Sequence, residues 1–95
     1  MSREYCVYIM TNVHNTVLYT GITNNLKRRA LEHKTGKGGA FTKRYNVVKL
    51  IYFEVGDDVN KAIFREKQIK SWNRKRKEEV INTFNPEWKD LCEDI

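Results

Sequence analysis

Two rhythms of apolar and polar residues run along this chain, and the change between them marks out its elements. Tyr5-Cys-Val-Tyr-Ile-Met-Thr11 is rich in aromatic and β-branched residues and reads as a strand. Thr16-Val-Leu-Tyr-Thr-Gly21 reads as a second strand, and the polar Asn12-Val-His-Asn15 between them is turn chemistry with one apolar interruption. A turn centred between Val13 and His14 sets Tyr8 opposite Tyr19 and Cys6 opposite Gly21. Residues paired in this way share a sheet face, with Cβ atoms roughly 5 Å apart. Two phenol hydroxyls then emerge side by side.

Beyond the hairpin, capping residues delimit a helix. Asn24 or Asn25 opens it, it runs to about Lys34, and Thr35-Gly36 closes it. Lys37-Gly-Gly-Ala-Phe-Thr42 is expected to be a flexible loop. Val47 to Glu54 is apolar on both faces, which predicts a central, covered third strand. Gly56-Asp57-Asp58 turns the chain into a helix from about Val59 to Asn73, and another follows from Lys75 to Phe84. Asn85-Pro86 stops that helix, because proline disfavours helical geometry in the residue before it. Trp88 and Leu91 are expected to fold the tail back onto the body. The order β-β-α-β-α-α describes an α+β fold, a small three-stranded antiparallel sheet flanked by helices. Ninety-five residues suit one domain, residues 1–95, with a single modest core.

Composition narrows the partners. The net charge is +6, and the cations cluster at Lys27-Arg28-Arg29, Lys43-Arg44, Lys70 and Arg74-Lys-Arg-Lys77. Acidic residues gather instead at Asp57-Asp58 and Glu93-Asp94, so one basic face suits a polyanion such as nucleic acid. A solvated face kept charged for solubility is the plainer alternative. No apolar run approaches the roughly 20 residues of a membrane span. The opening Met-Ser-Arg-Glu-Tyr lacks the regions of a signal peptide, and the expected location is the cytoplasm. Cys6 and Cys92 suggest neither a disulfide framework nor a zinc site; they read as a strand hydrophobe and as tail packing.

Three residues raise the hairpin tyrosines above ordinary packing. Val59, Ala62, Ile63, Ile69 and Asn73 form a helical stripe, with Trp72 alongside, and Glu66 falls in its middle. A core-facing carboxylate needs a cation, donors or a metal; a structural ion pair with Arg29 or a neighbouring lysine would also satisfy it. Arg29 and His33 lie at i and i+4 on the first helix, one turn beyond Leu26, so they project partly toward the core. For His33 a helix-end cap is the bland reading.

These residues resemble the GIY-YIG nuclease superfamily, specifically its small stand-alone bacterial members. Cys6-Val7-Tyr8 and Tyr19-Thr20-Gly21 stand where the two tripeptides of the family stand, with Cys6 replacing a glycine and Thr20 an isoleucine. Arg29, His33 and Glu66 match the family's arginine, histidine and metal-binding glutamate, and Asn85-Pro-Glu-Trp-Lys-Asp-Leu91 looks like the tail of one subgroup. The resemblance covers essentially the whole chain. It implies a metal-dependent endonuclease acting on DNA. In it Tyr8 serves as general base, Tyr19 orients water or its neighbour, Arg29 stabilises transition-state charge and His33 assists at phosphate or leaving group. Glu66 holds Mg²⁺ or Mn²⁺, and Gly21 and Asn85, or else Asn82, support the site. A phenol has a pKa of roughly 10, so a basic Tyr8 calls for positive charge nearby, from Arg29 and the metal. Lys27, Arg28, Lys43, Arg44, Lys70 and Arg74 are the expected contacts to the nucleic-acid backbone. Repair and homing relatives take specificity from added domains, so structure-selective or weakly selective cleavage is expected here, with a partner protein supplying the address. No small-molecule ligand is expected. A binding module of the same fold with little or no cleavage is the main alternative, and an interaction subunit docking through Trp72 and Trp88 is the third.

Overall fold

The computed structural model describes residues 4–95, so the leader-free start expected at Met1–Arg3 lies outside the described residues. Strands β1 (Tyr5–Thr11), β2 (Leu18–Thr23) and β3 (Lys49–Gly56) form one antiparallel sheet in the order β2-β1-β3. Helices α1 (Leu26–Lys34) and α2 (Ala40–Arg44) lie between β2 and β3, and α3 (Val59–Ser71) and α4 (Arg74–Phe84) follow β3. A single 3₁₀ turn at Cys92–Asp94 closes the tail.

The sheet is covered on both faces, which explains its apolar strands. Cys6, Tyr8, Met10, Leu26, Leu50 and Leu91 cluster on one face. Val7, Ile9, Ile51, Ala62, Ile69 and Ile81 cluster on the other, under α3 and α4. The central strand is therefore β1, not β3 as the apolar run suggested. β3 is an edge strand whose two buried faces result from the tail on one side and the helices on the other. A β-bulge at Ile9/Met10 skips Ile51 in the ladder, so Ile51 and Tyr52 join the same cluster.

The hairpin register also departs from expectation. Tyr8 pairs with Gly21, Met10 with Tyr19 and Cys6 with Thr23. The turn is longer than four residues because Asn12 organises it: its Oδ1 accepts from Thr16 N at 2.8 Å and its Nδ2 donates to Thr16 Oγ1 at 2.6 Å. Asn15 takes a left-handed φ of 58°, which asparagine tolerates. Thr16 and Val17 consequently belong to the turn and not to β2.

Side-chain caps fix the helix starts. Asn25 accepts from Arg28 N at 3.0 Å, Asp58 from Asn60 N and Lys61 N, and Asn73 from Arg76 N at 2.9 Å. Such a cap contributes about 1 kcal/mol. Asn73 thus opens α4 and does not close α3, and extended Trp72 (ψ 148°) separates the two helices. Trp72 lies beneath two guanidinium groups, Arg65 at 5.1 Å and Arg76 at 4.9 Å from its centroid. Arg65 also forks onto Glu54 and so ties α3 to β3.

The segment expected to be a loop, Lys37–Thr42, runs into α2 from Ala40 onward. Buried Thr42 anchors that helix, accepting through its carbonyl from Val47 N at 2.9 Å. The tail returns as expected. Leu91 N donates to Leu50 O at 2.8 Å, Leu50 N donates to Asp90 Oδ1 at 3.2 Å, and Lys34 on α1 pairs with Asp90 at 2.5 Å. Asn85, 5% exposed, donates to Ile51 O and Lys89 O at 3.1 and 2.8 Å.

Candidate active site

β1, β2 and α1 converge on a small aromatic cluster. Tyr8 Oη lies 3.2 Å from His33 Nε2, and both residues are buried. Tyr19 completes a triangle, its ring centroid 6.3 Å from Tyr8 and 5.5 Å from His33. The register is displaced by two residues, and a shift of two preserves the face. The tyrosines therefore meet as expected, but diagonally. Gly21 takes the place directly opposite Tyr8, and the Tyr8 ring lies across it. A Cβ at position 21 would stand 2.5 Å from the Tyr8 Cζ and Oη atoms. The glycine of the second tripeptide makes room for the tyrosine of the first.

α1 supplies the polar members. Leu26, Ala30 and His33 form its buried side, and Arg29 lies beside them with its side chain 33% exposed. Arg29 Nε donates to Glu32 at 3.1 Å, and its charge also reaches Tyr8. The Arg29 charge pulls the Tyr8 phenol toward acidity, as expected, but by itself it does not prevail. Burial, reinforced by Tyr19, pushes the Tyr8 phenol up to about 12, and the opposing pull of Arg29 is the smaller effect. His33 is pushed down by burial and then by Arg29, so at neutral pH it is an uncharged imidazole. One of its ring nitrogens faces Tyr8, and the other, Nδ1, is buried with no hydrogen-bond partner among the described residues. The loop before α2 closes against it: a Cβ on Gly38 would fall 2.4 Å from Nδ1. His33 is thus a buried partner of Tyr8 and not a helix-end cap.

Glu66 occupies the inner stripe of α3 between buried Ala62 and Ile69, with its side chain 14% exposed. Val59 and Ile63, expected in that stripe, are each 40% exposed. The carboxylate pairs with Lys70 on its own helix at 3.1 Å, and no hydrogen bond or ion pair joins it to Tyr8, Tyr19, Arg29 or His33. Among the described residues no group of three or more His, Cys, Asp or Glu side chains is placed to hold a metal ion. A single carboxylate suits a hard ion that keeps most of its shell in water and phosphate oxygens; it does not suit a cage built by the protein.

Comparison with known proteins settles the lineage. The model of the GIY-YIG catalytic domain matches residues 4–79. The chain belongs to the GIY-YIG family. A UPF0213 protein of Syntrophus aciditrophicus is 43% identical over 88 residues, spanning 92% of this chain and 98% of its own. A UPF0213 protein of Natronomonas pharaonis is 37% identical over 81 residues, 85% of this chain and 94% of that one. The solution NMR structure of a UPF0213 protein from Bacillus halodurans superposes with a TM-score of 0.58 at 25% identity, covering 90% of this chain and 89% of that one.

Within this GIY-YIG domain the expected backbone contacts divide into two groups. Lys27, Arg28, Lys43 and Arg44 are exposed, and none forms an ion pair among the described residues. Lys70 is engaged by Glu66. Arg74 donates to the turn carbonyls of Asn15 and Thr16 at 2.6 and 2.9 Å and to Glu78 at 2.7 Å, so its guanidinium fastens α4 to the β1–β2 turn. Asn85 steadies β3 and the tail, while Asn82 accepts from Trp88 Nε1. Neither asparagine bonds to the aromatic cluster. Sequence reasoning missed Phe41, whose ring lies 6.0 Å from Tyr19, and Tyr45, 4.8 Å from Phe41. The signal was present: two aromatics at i and i+4 enclosing Lys43 and Arg44.

Proposed function

We infer that this GIY-YIG domain hydrolyses phosphodiester bonds in DNA, choosing sites by nucleic-acid structure more than by sequence. The observation that carries the reading is the buried Tyr8–His33 hydrogen bond beside Arg29, on a chain of this family. A water attacking phosphorus must lose a proton. With its phenol near 12, Tyr8 accepts that proton only while giving up its own, and neutral His33 stands within hydrogen-bonding distance to take it at Nε2. Arg29, partly exposed, neutralises charge on the phosphoryl oxygens, and Tyr19 orients the water or Tyr8. Glu66 would hold a magnesium or manganese ion, whose charge would stabilise the phosphoryl group and the leaving oxygen. Lys27, Arg28, Lys43 and Arg44 bind the backbone without reading bases, so a partner protein would supply any address.

A second reading, a nucleic-acid-binding module with little turnover, draws support from the raised Tyr8 pKa and from Glu66 being paired with Lys70. Incubation with labelled single-stranded, duplex, flap and branched DNA, in Mg²⁺ and in chelator, separates the two. Chelator-sensitive cutting that Tyr8→Phe and Glu66→Ala both abolish is the expected result. Salt-sensitive binding without cutting, unchanged in either variant, would establish the binding module instead.

A further inference from the structure

α2 turns its buried side, Thr42, toward the body and leaves two large aromatics in solvent: Phe41 is 47% exposed and Tyr45 40%. They are not isolated. Tyr19, Phe41 and Tyr45 form a continuous file of rings, with successive centroids 6.0 and 4.8 Å apart, leading outward from the candidate active site. The Arg44 guanidinium lies 5.5 Å from the Tyr45 centroid, and Lys43 is exposed between the two aromatics. Lys37 adds a further exposed cation just before α2.

An apolar protein partner would have to desolvate those cations, whereas a nucleic acid uses both features. Its phosphates take the charges and its unpaired bases stack on the rings. Bases inside a duplex have their faces covered by neighbours. We propose that Phe41 and Tyr45 form a stacking ledge for unpaired DNA bases, so that the preferred substrate carries single-stranded nucleotides beside the phosphate at Tyr8. This inference rests on the nuclease reading for its position beside the cut, but binding at the ledge can be measured without cleavage.

The test is fluorescence titration in chelator of the full chain with a single strand of about a dozen nucleotides and with a matched duplex. A 2-aminopurine in the strand reports stacking through quenching. The single strand is expected to bind more tightly than the duplex and to be quenched. Phe41→Leu/Tyr45→Leu keeps bulk but removes the rings, and should weaken single-strand binding about tenfold or more. Phe41→Trp/Tyr45→Trp should restore both affinity and quenching. Equal affinity for duplex and single strand, or a leucine double variant with unchanged affinity and native unfolding behaviour, would overturn the ledge. If the leucine variant unfolds, the tryptophan variant decides: a folded tryptophan variant without quenching overturns it as well. Ring-dependent single-strand binding by a protein that cuts nothing in Mg²⁺ would uphold the ledge and remove the nuclease reading.

Discussion

At the scale of single residues, the candidate site is a packing solution before it is a chemical one. Gly21 and Gly38 are the two places where backbone makes way for a site ring, Tyr8 in one case and His33 in the other. Gly21→Ala should cost about 1–3 kcal/mol, because the buried Tyr8 ring has nowhere to retreat; urea midpoints read this directly. His33 supports a second prediction, on pH. Its folded pKa is depressed, so between the ordinary imidazole pKa of about 6.5 and the lower folded value the unfolded chain binds the extra proton. The stability contributed by the neutral ring is therefore intact above about 6.5 and declines as pH falls through that window. Comparing urea midpoints between about pH 7 and 5 for the native chain and His33→Asn should show a steeper decline for the native chain. Parallel curves would mean that the imidazole titrates normally.

At the scale of elements, legibility in the sequence tracked how local the determining interactions are. The Asp58 cap, the α1 span and the inward position of Glu66 follow from neighbours within a turn or two and were readable, while the α1 cap was narrowed only to Asn24 or Asn25. The register of the hairpin was not, because Asn12 bonding to Thr16 lengthens the turn by an amount that composition does not encode. The central place of β1 depends on partners many residues away. α2 hid behind its glycines, which suit a loop equally well. The residue types of the site were thus visible, whereas the tuning of Tyr8, the pairing of Glu66 and the engagement of Arg74 were not. Arg74→Lys retains charge but loses the fork that holds Asn15 and Thr16, and should lower stability by about 0.5–1.5 kcal/mol with DNA affinity little changed. Full stability in that variant would show that the α4–turn clasp is ornamental. Asn85→Ala leaves two carbonyls, of Ile51 and Lys89, without their donor and should cost about 1–3 kcal/mol, seen as a lower urea midpoint with cleavage lost only where unfolding begins.

At the scale of the molecule, exposed Lys27, Arg28, Lys43 and Arg44 flank an aromatic cluster set into the sheet face, and the acids that form ion pairs among the described residues do so with other cations. Each phosphate contact releases counterions, so Lys43→Gln/Arg44→Gln should reduce the slope of log affinity against log salt by about 2 and weaken all sequences alike. An unchanged slope would move the interface away from α2. The Lys34–Asp90 pair joins residues 56 apart, and Arg74 reaches back 58 and 59 residues to the first turn. Contacts of this span carry a loop-closure entropy that local contacts do not. On the ribosome, the chain has emitted Tyr8, Tyr19, Arg29, His33 and Glu66 long before Asp90 emerges to pin α1 against β3. A nascent chain therefore carries every candidate site residue before the tail contact that ties α1 to β3 can form, and the last segment synthesised is the one that fastens this side of the fold.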